Sequence, residues 1–187
     1  MKVYKFGGAS VRSAEGIRNI AHIVSGVSDN LFIVVSAMGK TTNAMEVVLD
    51  LFMKADHKAS LAELTEVENY HYEIIAELFA DKTKGNAAVE PLFAELKMYL
   101  TEGVGDEYDR WYDRLVSYGE VISTRIVSAF LAESGIANEW VDMRGLLVTD
   151  SNYREANVRI EDSQVRLQKV ADFSKNRIYI GQGFIGA

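Results

Sequence analysis

No cysteine occurs in the 187 residues, so disulfide staples and thiolate metal sites are excluded. No uninterrupted apolar run approaches the roughly 20 residues of a membrane span. Met1 leads straight into a strand without a signal or transit pattern, so a cytoplasmic chain is expected. Positive charge is scarce: 20 Lys and Arg face 27 Asp and Glu, a formal net charge of −7. This balance argues against a general nucleic-acid or membrane-surface binder, and a phosphate-bearing ligand needs a local positive site. His22, His57 and His71 lack the HExxH spacing or any relative of it, which leaves them surface or packing roles. No nucleophile–base pair is visible. What remains is ordinary globular composition, with length for one good core but not for two typical domains.

Two strand ends carry the first positive signal. Val3–Phe6 reads as a strand and runs into Gly7-Gly8-Ala9-Ser10. Leu31–Val35 is a continuous apolar run, as in a strand buried on both faces, and it ends in Ser36-Ala-Met-Gly-Lys-Thr-Thr-Asn43. Between them Ser13 has the position of an N-cap, Glu15 sits in the first turn, and Ile17, Ile20, Ala21 and Val24 repeat at helical spacing. This is a βαβ unit, which implies a parallel sheet with a right-handed crossover. Asn43 and Glu46 have the spacing of a cap and its N3 partner, so the next helix is expected from Ala44.

The middle of the chain reads as helical. Ser60 and Glu63 suggest a capping box, and Leu61, Leu64, Tyr72, Ile75 and Phe79 mark a long helix broken at Gly85-Asn86. Pro91 is expected early in a further helix to Leu100, closed by Gly103 and Gly105. These helices exceed what one crossover needs, so residues 58–105 read as an insertion. A third long helix is expected from Glu107 to Glu133. Strands follow at Asn138–Val141, Leu146–Val148 and Arg177–Ile180, with a helix near Asp162–Asp172. The order implies an α/β fold with a mostly parallel central sheet.

Several motifs have two readings. Gly39-Lys40-Thr41 is not a Walker loop, because the glycine required five residues earlier is Val34. What is left is a helix N-terminus at Thr41, Thr42 and Asn43, either an anion site or simple capping. Lys5 is either an edge residue facing water or a lysine that reaches phosphates from the carboxyl end of the sheet. Gly181-Gln-Gly-Phe-Ile-Gly186 fits the GxGxxG dinucleotide fingerprint, but a glycine-rich turn explains it as well, since neither the following helix nor the later acidic residue can be checked. Trp140-Val-Asp142 and Arg144 to Thr149-Asp150 read as a strand-turn-strand region. On the third helix, Trp111, Leu115, Tyr118, Ile122, Ile126 and Phe130 form an apolar stripe, and Ser117, Glu120, Thr124 and Ser128 form a second stripe of small polar groups around one carboxylate. That second stripe is either a solvated face or a buried one. If buried, Glu120 needs a cation, and a ligand ammonium would serve. Gly119 beside it suggests a close approach, since glycine inside a helix costs about 1 kcal/mol against alanine.

Taken in order, Lys5-Phe-Gly-Gly-Ala-Ser-Val11, Val34-Val-Ser-Ala-Met-Gly-Lys-Thr-Thr-Asn43, Ser117-Tyr-Gly-Glu-Val-Ile-Ser-Thr124, Trp140-Val-Asp-Met-Arg144 with Thr149-Asp150, and Gly183-Phe-Ile-Gly186 resemble the signatures of the aspartokinases, within the amino acid kinase superfamily. The resemblance covers essentially the whole chain. It implies a three-layer αβα sandwich and phosphorylation of the L-aspartate side-chain carboxylate to 4-phospho-aspartate. ATP with Mg²⁺ would be the co-substrate, in a cytoplasmic enzyme of lysine, threonine and methionine synthesis. By the same resemblance Lys5 would contact the transferred phosphate, with Gly7, Gly8 and Ser10 beside it. Ser36 and Thr42 would line the aspartate site, and Glu120 would take the substrate ammonium. A metal-binding residue is not identified. The family's usual threonine after the glycine pair is Ala9 here. The family's later glycine-rich segment with its arginine and aspartate, its nucleotide-binding half and its regulatory ACT domains have no counterpart in these residues. The chain is therefore expected to be the N-terminal, amino-acid-binding part of a longer, homo-oligomeric enzyme and inactive alone. The rivals are a kinase for glutamate or a related acid, a dinucleotide-binding module using Gly181–Gly186, and a non-catalytic amino-acid-binding or assembly fragment.

Overall fold

The computed structural model describes residues 1–101 and 107–186. Its strands are β1 (Lys2–Phe6), β2 (Leu31–Val35), β3 (Glu139–Trp140) and β4 (Ile178–Gln182), and they form one all-parallel sheet in the order β1-β2-β4-β3. Phe6 pairs with Val35 and Val35 with Gln182, so three strands end level with one another. The helices are α1 (Ala14–Ser25), α2 (Thr41–Met53), α3 (His57–Leu78), α4 (Lys82–Tyr99), α5 (Tyr108–Val116), α6 (Tyr118–Glu133) and α7 (Ile160–Val170).

The first βαβ unit is as expected. The Gly16 N–H donates to Ser13 Oγ at 3.3 Å, and Ile17, Ile20, Ala21 and Val24 are buried. The β2 run is less symmetric than its composition suggests. Leu31, Ile33 and Val35 are fully buried in the main core, whereas Phe32 and Val34, facing the other way, are only half-buried. Phe32 joins a smaller cluster with Met143, Tyr179, Leu167 and Phe173 near α7. The sheet is thus a middle layer, thickly covered on one face and thinly on the other, as in an αβα sandwich.

Helix boundaries moved where backbone turns or packing overrode side-chain capping. At Gly39 the backbone takes φ +55°, the left-handed region open to glycine, and α2 starts at once at Thr41. Asn43 is therefore an exposed residue inside the helix and not its cap. Asp56, not Ser60, caps α3, accepting from the Ala59 N–H at 3.0 Å. Ser60 is fully buried and its hydroxyl donates to the Val48 carbonyl at 2.8 Å, joining α3 to α2. The expected break at Gly85-Asn86 falls instead at Phe79–Asp81, where Asp81 accepts from the Thr83 N–H. Gly85 lies inside α4, where a side chain would collide with Ile75 of α3 and with Phe79 just past its end. Lys97 also reaches back to Glu68, so α3 and α4 form an antiparallel pair. Pro91 is inside α4 rather than near its start. Gly103 and Gly105 lie outside the described residues.

The expected 107–133 helix is interrupted at Ser117, between α5 and α6. By length and composition residues 108–133 suffice to cross a membrane, although polar residues interrupt the apolar run. In this fold 67% of that apolar window is buried inside the protein, as in a core helix. No strand forms at Leu146–Val148. The Asp142 side chain accepts from the Arg144 N–H and closes a 3₁₀ turn at Met143–Gly145, after which Thr149 and Val158 make a single antiparallel bridge.

Candidate functional site

The loops after β1, β2 and β4 are bonded to one another at the carboxyl end of the sheet. The Ser36 N–H donates to the Phe6 carbonyl at 3.1 Å, and the Gly39 N–H to the Gly8 carbonyl at 3.1 Å. The Gly183 N–H donates to the Val35 carbonyl at 3.3 Å. Gly8 is needed for this closeness, since a Cβ there would stand 2.7 Å from the Ala37 carbonyl oxygen. The result is a platform of backbone rather than side chains at a strand-end crevice, the location where open α/β sheets bind ligands.

Helix α6 enters this platform with its first turn. Gly119 packs on Ala37 and Thr41, so the close approach suggested by the sequence is made by the protein itself. The Ser123 hydroxyl donates to the Ser36 carbonyl at 2.8 Å. The centre of the polar stripe is therefore not a solvated face: Glu120 is 6% exposed and Thr124 is fully buried, while Ser117 and Ser128 at its ends are half-buried. Burial pushes the Glu120 carboxyl above its ordinary value, opposed by hydrogen bonding to the backbone of Glu120 itself and Ala37. Among the described residues no cationic side chain pairs with Glu120. A buried carboxylate in this condition is suited to receive a cation from a ligand.

Tyr118, next to Gly119, anchors the same turn from the other side. Its ring lies 5.0 Å under the Arg144 guanidinium, which is held by Asp142 at 2.7 Å. Burial raises the Tyr118 phenol above its ordinary range, and hydrogen bonds to Glu95 and Tyr99 add to this. The Asp142–Arg144 pair of the fourth motif thus packs against the first turn of α6.

The residues expected from the sequence fall into two groups. Gly7, Gly8, Ser36 and Glu120 come together around the platform, and half-buried Thr42 lies in the first turn of α2 beside it. Lys5 and Ser10 are exposed, and among the described residues neither side chain hydrogen-bonds to another of the group. Lys5 lies on edge strand β1, one residue out of phase with the core-facing Tyr4 and Phe6. Of the dinucleotide fingerprint, Gly181 is inside β4 and covered by the Met143 sulfur, so the tight turn that the first glycine must make is not there.

Two residues escaped the sequence reading. Gln182 is a buried polar group at the end of β4, and no periodicity distinguishes it. Phe184 is 91% exposed and left-handed at φ +65°, a conformation costly for an aromatic side chain, and it stands at the rim of the platform. The described residues contain no group of three or more His, Asp or Glu side chains placed to hold a metal ion.

Comparison with known proteins agrees with this architecture. The model of the amino acid kinase family matches residues 1–187. Aspartokinase 2, chloroplastic, of Arabidopsis thaliana is 32% identical over 98% of this chain and 35% of its own length. The aspartokinase of Chlamydia muridarum is 26% identical over 99% of the chain and 39% of its own length. E. coli aspartokinase III in complex with lysine and aspartate shares the fold at a TM-score of 0.85 and 24% identity, covering 99% of this chain and 41% of that one. The same enzyme in complex with aspartate and ADP gives 0.82, with the same coverage. The chain spans between a third and two-fifths of the length of these relatives. With the family model matched from the first residue to the last and the fold shared, the chain belongs to the amino acid kinase family.

Proposed function

We propose that this chain is the amino-acid-binding part of an aspartokinase, whose reaction transfers the γ-phosphoryl group of ATP to the side-chain carboxylate of L-aspartate. One observation carries the reading: Glu120 is a buried carboxylate without a cationic partner among the described residues, beside a platform of strand-end backbone. An α-ammonium group is the cation that an amino-acid substrate brings. Chloroplastic aspartokinases and fused aspartokinase/homoserine dehydrogenases among the relatives support the substrate and a place in amino-acid biosynthesis. We read α3 and α4 as an insertion in the family fold, and the protein as cytoplasmic.

The chemistry needs no general base. The acceptor carboxylate has an unperturbed pKa of about 3.9 and is already ionised at neutral pH. The obstacle is bringing an anion up to a polyphosphate, so catalysis rests on positioning and on offsetting charge. In this reading Glu120 fixes the ammonium, Ser36 and Thr42 line the pocket, and Gly7 and Gly8 allow phosphate to lie close to backbone. Ser10 stands beside them. Lys5 reaches the transferred phosphoryl from the sheet edge, where its exposure leaves it free to swing. Mg²⁺ would come as part of the co-substrate, on the nucleotide phosphates, its usual mode of binding at kinase sites.

The test is a titration of the ¹⁵N-labelled chain with L-aspartate, L-glutamate and succinate, followed at the amides of Ala37 and Glu120. L-Aspartate is expected to shift these amides at concentrations where succinate, which lacks the ammonium, does not. Equal response to succinate would remove Glu120 from its role, and preference for L-glutamate would reassign the substrate. Hydroxylamine trapping of the acyl phosphate in the full-length parent, with ATP and aspartate present, reads phosphoryl transfer directly.

A further inference from the structure

The Thr124 hydroxyl is saturated. It accepts from Trp140 Nε1 at 2.9 Å and from Gln182 Nε2 at 2.8 Å, and lies 2.9 Å from the Glu120 carbonyl oxygen and 3.0 Å from that of Val121. The direction of every bond follows from chemistry. An indole nitrogen only donates. The Gln182 carbonyl oxygen is taken by the Met143 N–H at 2.7 Å, so its NH₂ must point at Thr124. With two donors aimed at it, Thr124 has one way left to use its own proton, towards the carbonyls in the first turn of α6. The chain of bonds therefore runs from the turn after β3, through the end of β4, to the backbone of Glu120.

Helix α6 does not need this arrangement in order to be a helix. A threonine bonded back to the preceding turn stabilises it little or slightly weakens it. Apolar residues would fill the same buried space without polar groups to satisfy. What a fully satisfied buried network supplies is a single arrangement of the elements that it joins. Its far members, Trp140, Met143 and Gln182, sit on or beside the sheet, and its near end is the residue whose carboxylate faces the platform. Gln182 is also level with Val35, whose next residue Ser36 receives the Ser123 hydroxyl. One turn of α6 is thus pinned to β2 through Ser123 and to β4 through Thr124.

We infer that Gln182 and Thr124 are positioning residues, which hold the first turn of α6 so that the Glu120 carboxylate meets the ligand cation at the carboxyl end of the sheet. The inference rests on the aspartate-binding reading of Glu120 but extends it to two residues whose polar atoms are all taken up by the protein itself. It also explains the amide at position 182. Only a side chain that accepts at one atom and donates at the other can join the Met143 N–H to Thr124. A carboxylate there would draw the Thr124 proton to itself and release the Glu120 carbonyl.

The test uses this chain with Thr124→Val, Thr124→Ser and Gln182→Glu. Two quantities are read: the Ala37 amide shift in the ligand-free protein, which senses the neighbouring Glu120 carboxylate, and the Kd for L-aspartate. Thr124→Val is expected to move the Ala37 amide and to weaken aspartate about tenfold or more, as displacement of a positioned group does. Thr124→Ser, which keeps the hydroxyl, should restore both. Gln182→Glu buries a charge and can unfold the chain, so the Thr124 pair is decisive, and Gln182→Glu is scored only on protein with a folded spectrum, where it should match Thr124→Val. An Ala37 amide and a Kd unchanged in Thr124→Val would overturn the inference. Glu120→Gln separates the two levels. If it binds aspartate as well as the parent sequence does, the aspartate reading fails, and the Ala37 amide in the free protein still decides whether Thr124 positions Glu120.

Discussion

Gly119 of α6 lies against Ala37 of the β2–α2 turn, so close that a Cβ on Gly119 would stand 3.1 Å from the Ala37 methyl and 3.4 Å from Thr41 Cγ2. Two effects of a methyl group at this position oppose each other. Alanine gains about 1 kcal/mol of helix propensity over glycine, and the contact requires Ala37 to yield by a few tenths of an ångström. Gly119→Ala is expected to fold with nearly unchanged stability but to bind L-aspartate more weakly, because α6 moves back from the platform. Gly119→Val has no such balance and should lose about 1–3 kcal/mol through overpacking. Urea unfolding of both variants, with aspartate titration of the first, checks this.

Glu120 is buried without a cationic partner among the described residues. Its carboxyl is raised above 4.5 by burial, so the folded state binds this proton more tightly than the unfolded state does. A raised acid favours the folded chain at low pH, and that contribution is lost as pH rises from the unfolded value through the folded one. Glu120→Gln has no charge to bury. Its stability relative to the parent sequence should therefore grow as pH rises from about 4 to 7, while its affinity for L-aspartate falls. Chemical denaturation at several pH values reads the first effect. A difference that is flat with pH would mean that the carboxylate is already compensated.

His71 should dominate the acid limb of stability. It is fully buried against Phe93 and Tyr70, its Nδ1 bonds to the Val67 carbonyl at 2.7 Å, and its Nε2 has no partner. Burial lowers its pKa from 6.5 to about 4, so it is neutral in the fold. Unfolded histidine takes up a proton below about 6.5, and the folded one does not until about pH 4, so stability is lost as pH falls through that window, by about 3 kcal/mol if the shift is fully expressed. His71→Leu removes the orphaned nitrogen and should flatten this limb with little cost at neutral pH. Thermal melts of both proteins from about pH 7 to 4 would expose the difference.

What the sequence made legible was the part of the structure dictated by local pattern. The β1–α1–β2 unit is written in Ser13, in the Ile17–Val24 face and in the apolar run at Leu31–Val35, and all three form the expected elements, although the second face of β2 is only half-buried. Ser60, Asn43 and Gly85 were read by their local habits as caps and a break, but Ser60 and Gly85 serve contacts between helices, and the backbone turn at Gly39 made a cap at Asn43 unnecessary. The site divides in the same way. Glu120 stood out as a candidate because a lone carboxylate in a stripe of small residues is unusual at helical spacing. Gln182 was not, since its partners Thr124 and Met143 are 58 and 39 residues away and no single-sequence period connects them.

Gly85 offers the sharpest test of such long-range constraint. In an exposed helix interior glycine to alanine gains about 1 kcal/mol. Here the added Cβ would stand 2.5 Å from Ile75 Cγ2 and 2.9 Å from two ring atoms of Phe79. Ile75 is fully buried and Phe79 is 5% exposed, so neither has open space to retreat into. Gly85→Ala is therefore expected to destabilise the chain by about 1–3 kcal/mol despite the better propensity. Ile75→Ala removes the methyl in the way and leaves a cavity, at a cost of about 2–5 kcal/mol when made alone. In the double variant the new methyl enters that cavity, so the two losses should fall short of their sum by at least about 1 kcal/mol. Strict additivity in urea unfolding would show that α3 and α4 adjust by sliding apart, and that Gly85 is not what holds them close.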